Sequence, residues 1–362
     1  MESKKAFIPA IALTALALTA SACTSGATPA SQSGAGTAIT GTTANNALAV
    51  TAAQAHQVFS GYVSQTANAL ATGDQRAALG LTQFTQWDEL NTAFLTAAAG
   101  HTTVKPDRYA APLFYLPVQN GYPQWFVASA RRTAPASSPA SLAGVTQATT
   151  GQVLMLFEKR AAKLPWELTG SVQLQPGQQL PKLATTADGT VETVPLDDST
   201  TYLARPDVVG PLQAAVVDDG PASPATAAVA SGPFTTGIYT RQAAIKHPSG
   251  DVRQWELEGS KYDRFALRTA SGGAVVFYAM YLNATTEVPA ELAEDSDVSP
   301  GQPITVPPGF LPLLKPGAPV ARKRLITQYS LAFAAIDPPA SATNAKIQVI
   351  AMGGAPDWVS GS

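Results

Sequence analysis

The order of hydrophobic patterns along the chain most constrains its fold, because helix signals precede strand signals and this order occurs twice. Residues 51–73 carry apolar side chains at helical spacing, and residues 85–100 repeat that pattern. The β-rich runs that follow are 113–118, 124–132, 152–160 and 167–174. This half therefore predicts helices followed by an antiparallel meander.

The second half shows the same order. Residues 207–217 predict a short helix, with Asp207 as its N-cap after Pro206. The β-rich runs of this half are 253–258, 263–269, 274–282, 325–336 and 346–351. No repeat is found between individual residues, so the similarity lies in the order of elements.

The first helix has recognisable ends. Thr51 stands three residues before Gln54, so the two side chains can satisfy the free amides at a helix start reciprocally. Gly73 supplies the left-handed residue that commonly follows a helix. We therefore predict one helix between Thr51 and Gly73.

The N-terminal residues have the organisation of a targeting signal. Lys4 and Lys5 precede an apolar stretch at 6–20, and small residues then lead to Cys23. The apolar stretch is about 15 residues long, whereas a membrane-spanning helix needs about 20. A cleaved signal is therefore favoured over a permanent transmembrane helix.

Cys23 indicates which kind of signal this is. The sequence Ala20-Ser21-Ala22-Cys23 resembles the lipobox of bacterial lipoproteins, although the family prefers a branched aliphatic residue at the position of Ala20. The resemblance implies cleavage between Ala22 and Cys23, a diacylglyceryl thioether on Cys23, and anchoring to the extracytoplasmic face of the cell membrane. The alternative is an ordinary secretory signal with an incidental thiol beside the cut.

The segment after Cys23 has a composition typical of a linker. Residues 24–46 contain no charged and no aromatic side chain, so they cannot bury enough apolar surface to fold. We expect a flexible, disordered tether. The predicted organisation is a signal peptide at 1–22, the lipidated cysteine and linker at 23–48, and α+β domains at 49–196 and 197–362.

Charge and cysteine content restrict the possible functions. The net charge is −2 and the basic residues are not clustered, which argues against a nucleic-acid partner. Because the chain has one cysteine, internal disulfides are excluded and the domains must be held by their cores. Charged residues are 13% of the chain, a usage that resembles secreted proteins of actinobacteria.

The predicted helices packed against a curved antiparallel sheet resemble the NTF2-like, cystatin-like α+β cone. The aromatic and turn patterns that carry the resemblance lie at 57–62, 70–73, 122–127, 153–166 and 262–278. Over residues 50–355 the chain resembles actinobacterial lipoproteins of unknown function built this way. The resemblance implies two tandem cones and an extracytoplasmic location, without an assigned activity. A β-sandwich or a lipocalin-type barrel stays open for either half.

His56 is the candidate catalytic residue. It stands three residues before Phe59 and seven before Val63, which predicts a place on the apolar side of the first helix, where such a cone can have its pocket. A neutral imidazole there could act as general base beside Asp88 or Glu89. The alternative is an inert histidine at the edge of the core.

Metal and cofactor chemistry find little support in the sequence. The three histidines are scattered, and the acidic groups lack the alternating acids and central glycine of a calcium loop. No phosphate-binding glycine loop opens a helix. We predict neither a metal nor a cofactor.

The aromatic residues Trp87, Trp125 and Tyr122 are candidates for ligand binding, because they could line the concave face of a sheet. The alternative is that they fill cores. We expect a non-enzymatic lipoprotein that binds a small molecule, a peptide or an envelope protein. The alternatives are a hydrolase or isomerase built around His56, and a scaffold of an envelope complex that uses the Pro-rich segment at 298–319.

Overall fold

A computed structural model describes the chain between residues 50 and 361, with gaps. The described residues are 50–135, 141–142, 145–146, 148–244, 252–287, 304, 306, 308–314 and 324–361. Cys23, the predicted signal peptide and the predicted tether lie outside them, as does most of the Pro-rich segment.

In each half, helices precede strands. The elements are α1 Ala52–Thr72, α2 Gln75–Leu79, α3 Phe84–Ala99, β1 Arg108–Tyr115, β2 Gln124–Thr133, β3 Ser141–Leu142, β4 Val145–Thr146, β5 Thr150–Lys159, β6 Glu167–Leu174, α4 Val209–Asp219, α5 Thr236–Ala244, β7 Val252–Gly259, β8 Phe265–Arg268, β9 Ala274–Glu287, β10 Arg324–Asp337 and β11 Gln348–Gly361.

The ends of α1 are confirmed. The Thr51 hydroxyl accepts a hydrogen bond from the Gln54 amide at 3.2 Å, and the Gln54 side chain accepts one from the Thr51 amide at 2.8 Å. Gly73 ends the helix with a φ of 69°. The predicted cap of the second-half helix is wrong, because the Asp207 carboxylate accepts hydrogen bonds from the Arg205 guanidinium instead, at 2.8 and 2.9 Å.

One antiparallel sheet contains strands from both halves. Its order is β1-β2-β5-β6-β11-β10-β9-β7, with β8 paired to β9, while β3 and β4 form a separate small hairpin. The last strands of the two halves, β6 and β11, pair through Gln173 with Met352 and through Leu174 with Ala351. The α+β class is therefore confirmed, but the arrangement as two tandem NTF2-like domains is not.

The inner faces of the two half-sheets pack against each other. Trp125 and Leu154 from the first half share a core with Phe265, Phe277 and Ala332 from the second, and the Trp125 and Phe265 ring centroids lie 4.6 Å apart. Removing one such large aromatic side chain costs about 3–5 kcal/mol. Each half therefore relies on the other to cover its inner face, across the boundary predicted between residues 196 and 197.

Helices cover the outer faces of the sheet. In the first half, Phe59 and Tyr62 on α1 pack on Phe126 and Phe157 of the sheet. In the second half, α4 contributes Val216 to a cluster with sheet residues that include Tyr278. The sheet is thus buried on both faces, and its outer face in the first half is where α1 and α3 lie.

Two glycines allow β11 to lie between its neighbours. A Cβ atom on Gly353 would overlap the Ser171 carbonyl of β6, and one on Gly354 would overlap the Ser330 carbonyl of β10. Gly354 also has a φ of +121°, which side-chain-bearing residues rarely adopt. Strand packing at this point requires residues without a side chain.

We expect Gly353→Ala to lower the free energy of unfolding by about 1–3 kcal/mol, since the added methyl group forces backbone shifts in packed strands. Urea denaturation measures this directly. The matched control is Gly61→Ala in α1, where the new Cβ meets only the flexible Gln65 side chain at 3.4 Å and should add about 0.5–1 kcal/mol. Equal stability of G353A and the natural chain would contradict this account of how β11 packs between β6 and β10.

Two carboxyl groups are buried in the sheet. Glu158 on β5 and Asp337 on β10 are both 0% exposed. Burial and the neighbouring Asp263 carboxyl together raise the pKa of Glu158 to about 7, against the opposing effect of Arg160. Burial likewise raises the pKa of Asp337 to about 7, against a hydrogen bond from the Ala204 amide. Folding therefore favours the protonated form of both groups relative to the unfolded chain.

These shifts predict how stability depends on pH. Because the folded pKa exceeds that of an unfolded carboxyl, about 4, the stabilisation is fully present below pH 4 and is lost as pH rises through about 7. We expect a lower melting temperature at pH 8 than at pH 5.5. Glu158→Gln should reduce the accompanying loss of unfolding free energy between pH 5.5 and pH 8 by about 1–3 kcal/mol, whereas Asp197→Asn, at an exposed site, should leave that loss unchanged. A melting temperature that rises from pH 5.5 to pH 8 would refute the prediction.

Candidate functional site

A cavity of about 320 Å³ lies in the first half, between α1, α3 and the outer face of the sheet. Its volume is at the lower end of the range for small-molecule sites, about 300–1,000 Å³. Residues from the second half complete its wall, since the segment from Met352 to Pro356 on β11 lines it too. The cavity is therefore built from both halves of the chain.

Small residues keep the cavity open. Ala67 on α1 and Ala93 on α3 line it, together with Gly353 and Gly354. These positions present methyl groups or bare backbone where a larger side chain would fill the space. The two glycines that allow β11 to lie between β6 and β10 thus also form part of the cavity wall.

A charged cluster lies on one part of the wall. Arg132, near the end of β2, donates a hydrogen bond from Nη2 to the Gln173 side chain at 2.6 Å. Its Nη1 lies 3.7 Å from the Asp107 carboxylate, with side-chain exposures of 15% and 27% for Arg132 and Asp107. The Tyr109 hydroxyl donates to the same carboxylate at 3.5 Å. The guanidinium is thus held in place by an amide and a carboxylate.

Glu89 on α3 lines the same cavity. Burial raises the pKa of its carboxyl to about 7; Arg132 lowers it in part, while Asp107 raises it. Burial also raises the pKa of Asp107, against the effect of Arg132. At neutral pH Glu89 is therefore present in both protonation states.

The remaining wall is largely apolar. Leu70, Leu90, Val104 and Met352 line it. Apolar walls with a few placed polar groups are typical of small-molecule sites, because burial supplies affinity and polar contacts set orientation. The lining suits a ligand with one polar and one apolar end.

The structure places His56 outside this cavity. Its side chain is exposed, its Nδ1 lies 3.5 Å from the Ser60 hydroxyl, and its ring meets Phe114 edge-on at 6.1 Å. The expected position on the apolar side of α1 is wrong, because that side runs through Ala55, Phe59 and Tyr62. A catalytic role for His56 stays a prediction.

The two acids named as partners of His56 lie in different places. Glu89 lines the cavity, as described above. Asp88 instead accepts a hydrogen bond from the Tyr262 hydroxyl at 3.3 Å. This separation follows from the helix, since neighbouring residues point about 100° apart.

The structure does not bring the three aromatic candidates together. Trp125 is 6% exposed in the core shared by the half-sheets. Trp87 is 39% exposed beside α2, and Tyr122 is 45% exposed before the cis peptide bond to Pro123. The tyrosines that line the cavity are Tyr62 and Tyr109.

Arg132 is the site residue for which the sequence held a usable signal. In β2, Phe126, Ala128 and Ala130 are buried and face the helices. Since side chains alternate along a strand, Arg132 belongs to the same face. A charge that continues an inward-facing apolar series indicates a polar group at the edge of the core.

Neither a metal cluster nor a spanning helix is found within the described ranges. No three His, Cys, Asp or Glu side chains there converge as metal ligands. No helix among the same residues combines the length and apolar character needed to cross a membrane.

Comparison with known proteins places the chain in a family. Residues 46–354 match the family described as a domain of unknown function, DUF8094. An uncharacterized lipoprotein from Streptomyces avermitilis is 25% identical over 196 residues, which make up 53% of each chain. The chain thus matches about half the length of that curated relative. Because the family match extends over most of the sequence, the chain belongs to the DUF8094 family.

Proposed function

We propose that this protein is a lipid-anchored lipoprotein of the extracytoplasmic membrane face whose cavity binds a small molecule without transforming it. The observation that carries the binding role is the charged cluster of Glu89, Asp107 and Arg132 in the wall of a cavity of about 320 Å³.

The anchoring part of the proposal rests on the N-terminal sequence. The apolar stretch at 6–20 and the small residues before Cys23 match the order of a signal peptide with a lipidation site. The similar Streptomyces avermitilis protein carries the name of a lipoprotein. A lipid on Cys23 would confine the folded region to the surface of a bilayer.

The binding part rests on an energetic argument. Removing ionised groups from water costs several kcal/mol per ion unless partners compensate. A wall that served only for packing would be more stable with apolar residues in place of Glu89, Asp107 and Arg132. Their presence around an open volume favours a ligand that interacts with them.

Binding without chemistry is favoured over the alternative built on His56, because the exposed imidazole is not among the cavity residues. The scaffold alternative depends on the Pro-rich segment at 298–319, most of which lies outside the described residues. Neither alternative has a geometric observation comparable to the cavity.

The anchor is tested by Cys23→Ser in the full-length chain expressed in an actinobacterial host. We expect the natural protein in the detergent-soluble membrane fraction and the variant in the aqueous fraction, because a serine hydroxyl does not form the thioether. Fractionation with antibody detection measures this. Cys23→Ser that stays in the membrane fraction and is cleaved at the same position as the natural chain, as judged by its mass, would refute the lipid anchor, while leaving the cavity argument untouched.

The cavity is tested with benzyl alcohol as a neutral probe, observed by saturation-transfer NMR. We expect binding to the natural chain and its loss in Ala93→Trp, because the indole fills the space beside α3. Ala98→Trp is the control, since it places the same side chain at an exposed position of that helix. Equal binding by both variants, or no binding of benzyl alcohol or of its charged analogues by the natural chain, would contradict the proposal.

A further inference from the structure

The charge balance of the cavity indicates which ligand it fits. Glu89 and Asp107 contribute two carboxyl groups, and Arg132 contributes one guanidinium. Lys105 also lines the cavity, but it is exposed to solvent, where its charge is screened by water. Apart from Lys105, the lining therefore contains two carboxyl groups and one cationic group.

The single guanidinium is already engaged. Arg132 lies 3.7 Å from Asp107 and donates to Gln173 at 2.6 Å. Within the part of the chain that the structure describes, no Lys or Arg nitrogen lies within 4.0 Å of the Glu89 carboxylate. Glu89 thus faces the cavity without a cation at ion-pair distance.

A neutral acceptor stands beside this carboxylate. Gln86 is 9% exposed and lines the cavity, and its Oε1 has no hydrogen-bond partner among the described residues. Gln86 and Glu89 are three residues apart on α3, so they share one face of the helix. A buried acceptor without a donor destabilises the folded protein, and a donor on a ligand would offset that destabilisation.

We propose that the cavity binds a small organic amine in its protonated form, with the ammonium group at Glu89 and Gln86 and the apolar part against Leu70, Leu90 and Met352. This inference rests on the proposed function and names the ligand class of that same site. The competing ligand is a carboxylate at Arg132, whose Nε also has no partner among the described residues. The amine is favoured because Arg132 has Asp107 at ion-pair distance, whereas the guanidinium acts on Glu89 only from beyond 4.0 Å.

Binding of an ammonium group is linked to the protonation of Glu89. The charged and titratable groups around Glu89 are Arg132 on β2, Asp107 and Tyr109 at β1, Tyr62 on α1 and Lys105. With a pKa of about 7, Glu89 is about half protonated at pH 7 and must lose that proton when a cation binds. The affinity for an amine should therefore weaken about tenfold from pH 8 to pH 6.

The experiment is calorimetry of the folded chain with benzylamine, which stays protonated over this pH range, and with benzyl alcohol and benzoate as its neutral and anionic counterparts. We expect benzylamine to bind at least tenfold more tightly than either at pH 8, and to release protons on binding at pH 7. Glu89→Gln should weaken the binding of benzylamine at least tenfold more than it weakens the binding of benzyl alcohol. Glu256→Gln, at an exposed site, should change neither.

Each other outcome decides the question as well. If benzyl alcohol binds as tightly as benzylamine, or Glu89→Gln has no effect, the amine inference is wrong and the proposed binding role stands. Preferred binding of benzoate overturns it in the same way. If none of the three probes binds, both proposals fall. Should E89Q not fold, Glu89→Asp and the pH dependence of the natural chain decide, since benzylamine affinity that is unchanged from pH 8 to pH 6 overturns the inference.

Discussion

The burial of the two inner sheet faces against each other is the constraint on which the rest of the structure depends. Each half-sheet presents large apolar side chains on that face, such as Trp125 in the first half and Phe265 in the second. Left in water, each would forfeit on the order of 1.5–3 kcal/mol of burial free energy. The sheet must therefore turn back on itself, and the β6–β11 pairing is where the two halves join.

The pairing of β6 with β11 also explains the position of the cavity. On leaving β6, β11 passes through Gly353 and Gly354 and continues beside α3, where the Thr92 hydroxyl donates to the Pro356 carbonyl at 2.5 Å. The helices cover the outer face of the first half, but the residues that line the gap between them and β11 include the small Ala67, Ala93 and Gly353. The space that remains is the cavity, and its wall needs both halves.

The charged groups in this wall stabilise the fold little, because ion pairs removed from water seldom repay their desolvation. Arg132 on β2 has the Gln173 side-chain amide and the Asp107 carboxylate as partners. Glu89 on α3 has a pKa of about 7. Packing does not account for that arrangement. It is the reason that a ligand, and in particular a cationic one, is proposed for this site.

The sequence by itself determined the features that depend on residues close together along the chain. The capping of α1 by Thr51 and Gln54 is local chemistry, and β6 spans the residues 167–174 that its pattern predicts. Prediction failed where another side chain competed for a capping group, as when the Arg205 guanidinium bound the Asp207 carboxylate. It also failed where glycines were tolerated within a strand. β11 extends to Gly361 although its predicted run ends at 351, because Gly353 and Gly354 meet neighbouring strands there instead of a turn.

Only the tertiary structure decided which residues form the site. Glu89, Arg132 and Met352 lie far apart in sequence and meet because the sheet joins at β6 and β11. His56 has an imidazole suited to acid–base chemistry and lies on α1 as predicted. The step of one residue from buried Ala55 to His56 nevertheless turns its side chain to solvent. Local patterns report periodicity and caps, whereas the pairing of strands about 180 residues apart depends on loop-closure entropy and on the shared core. A single sequence does not encode those terms in any local pattern.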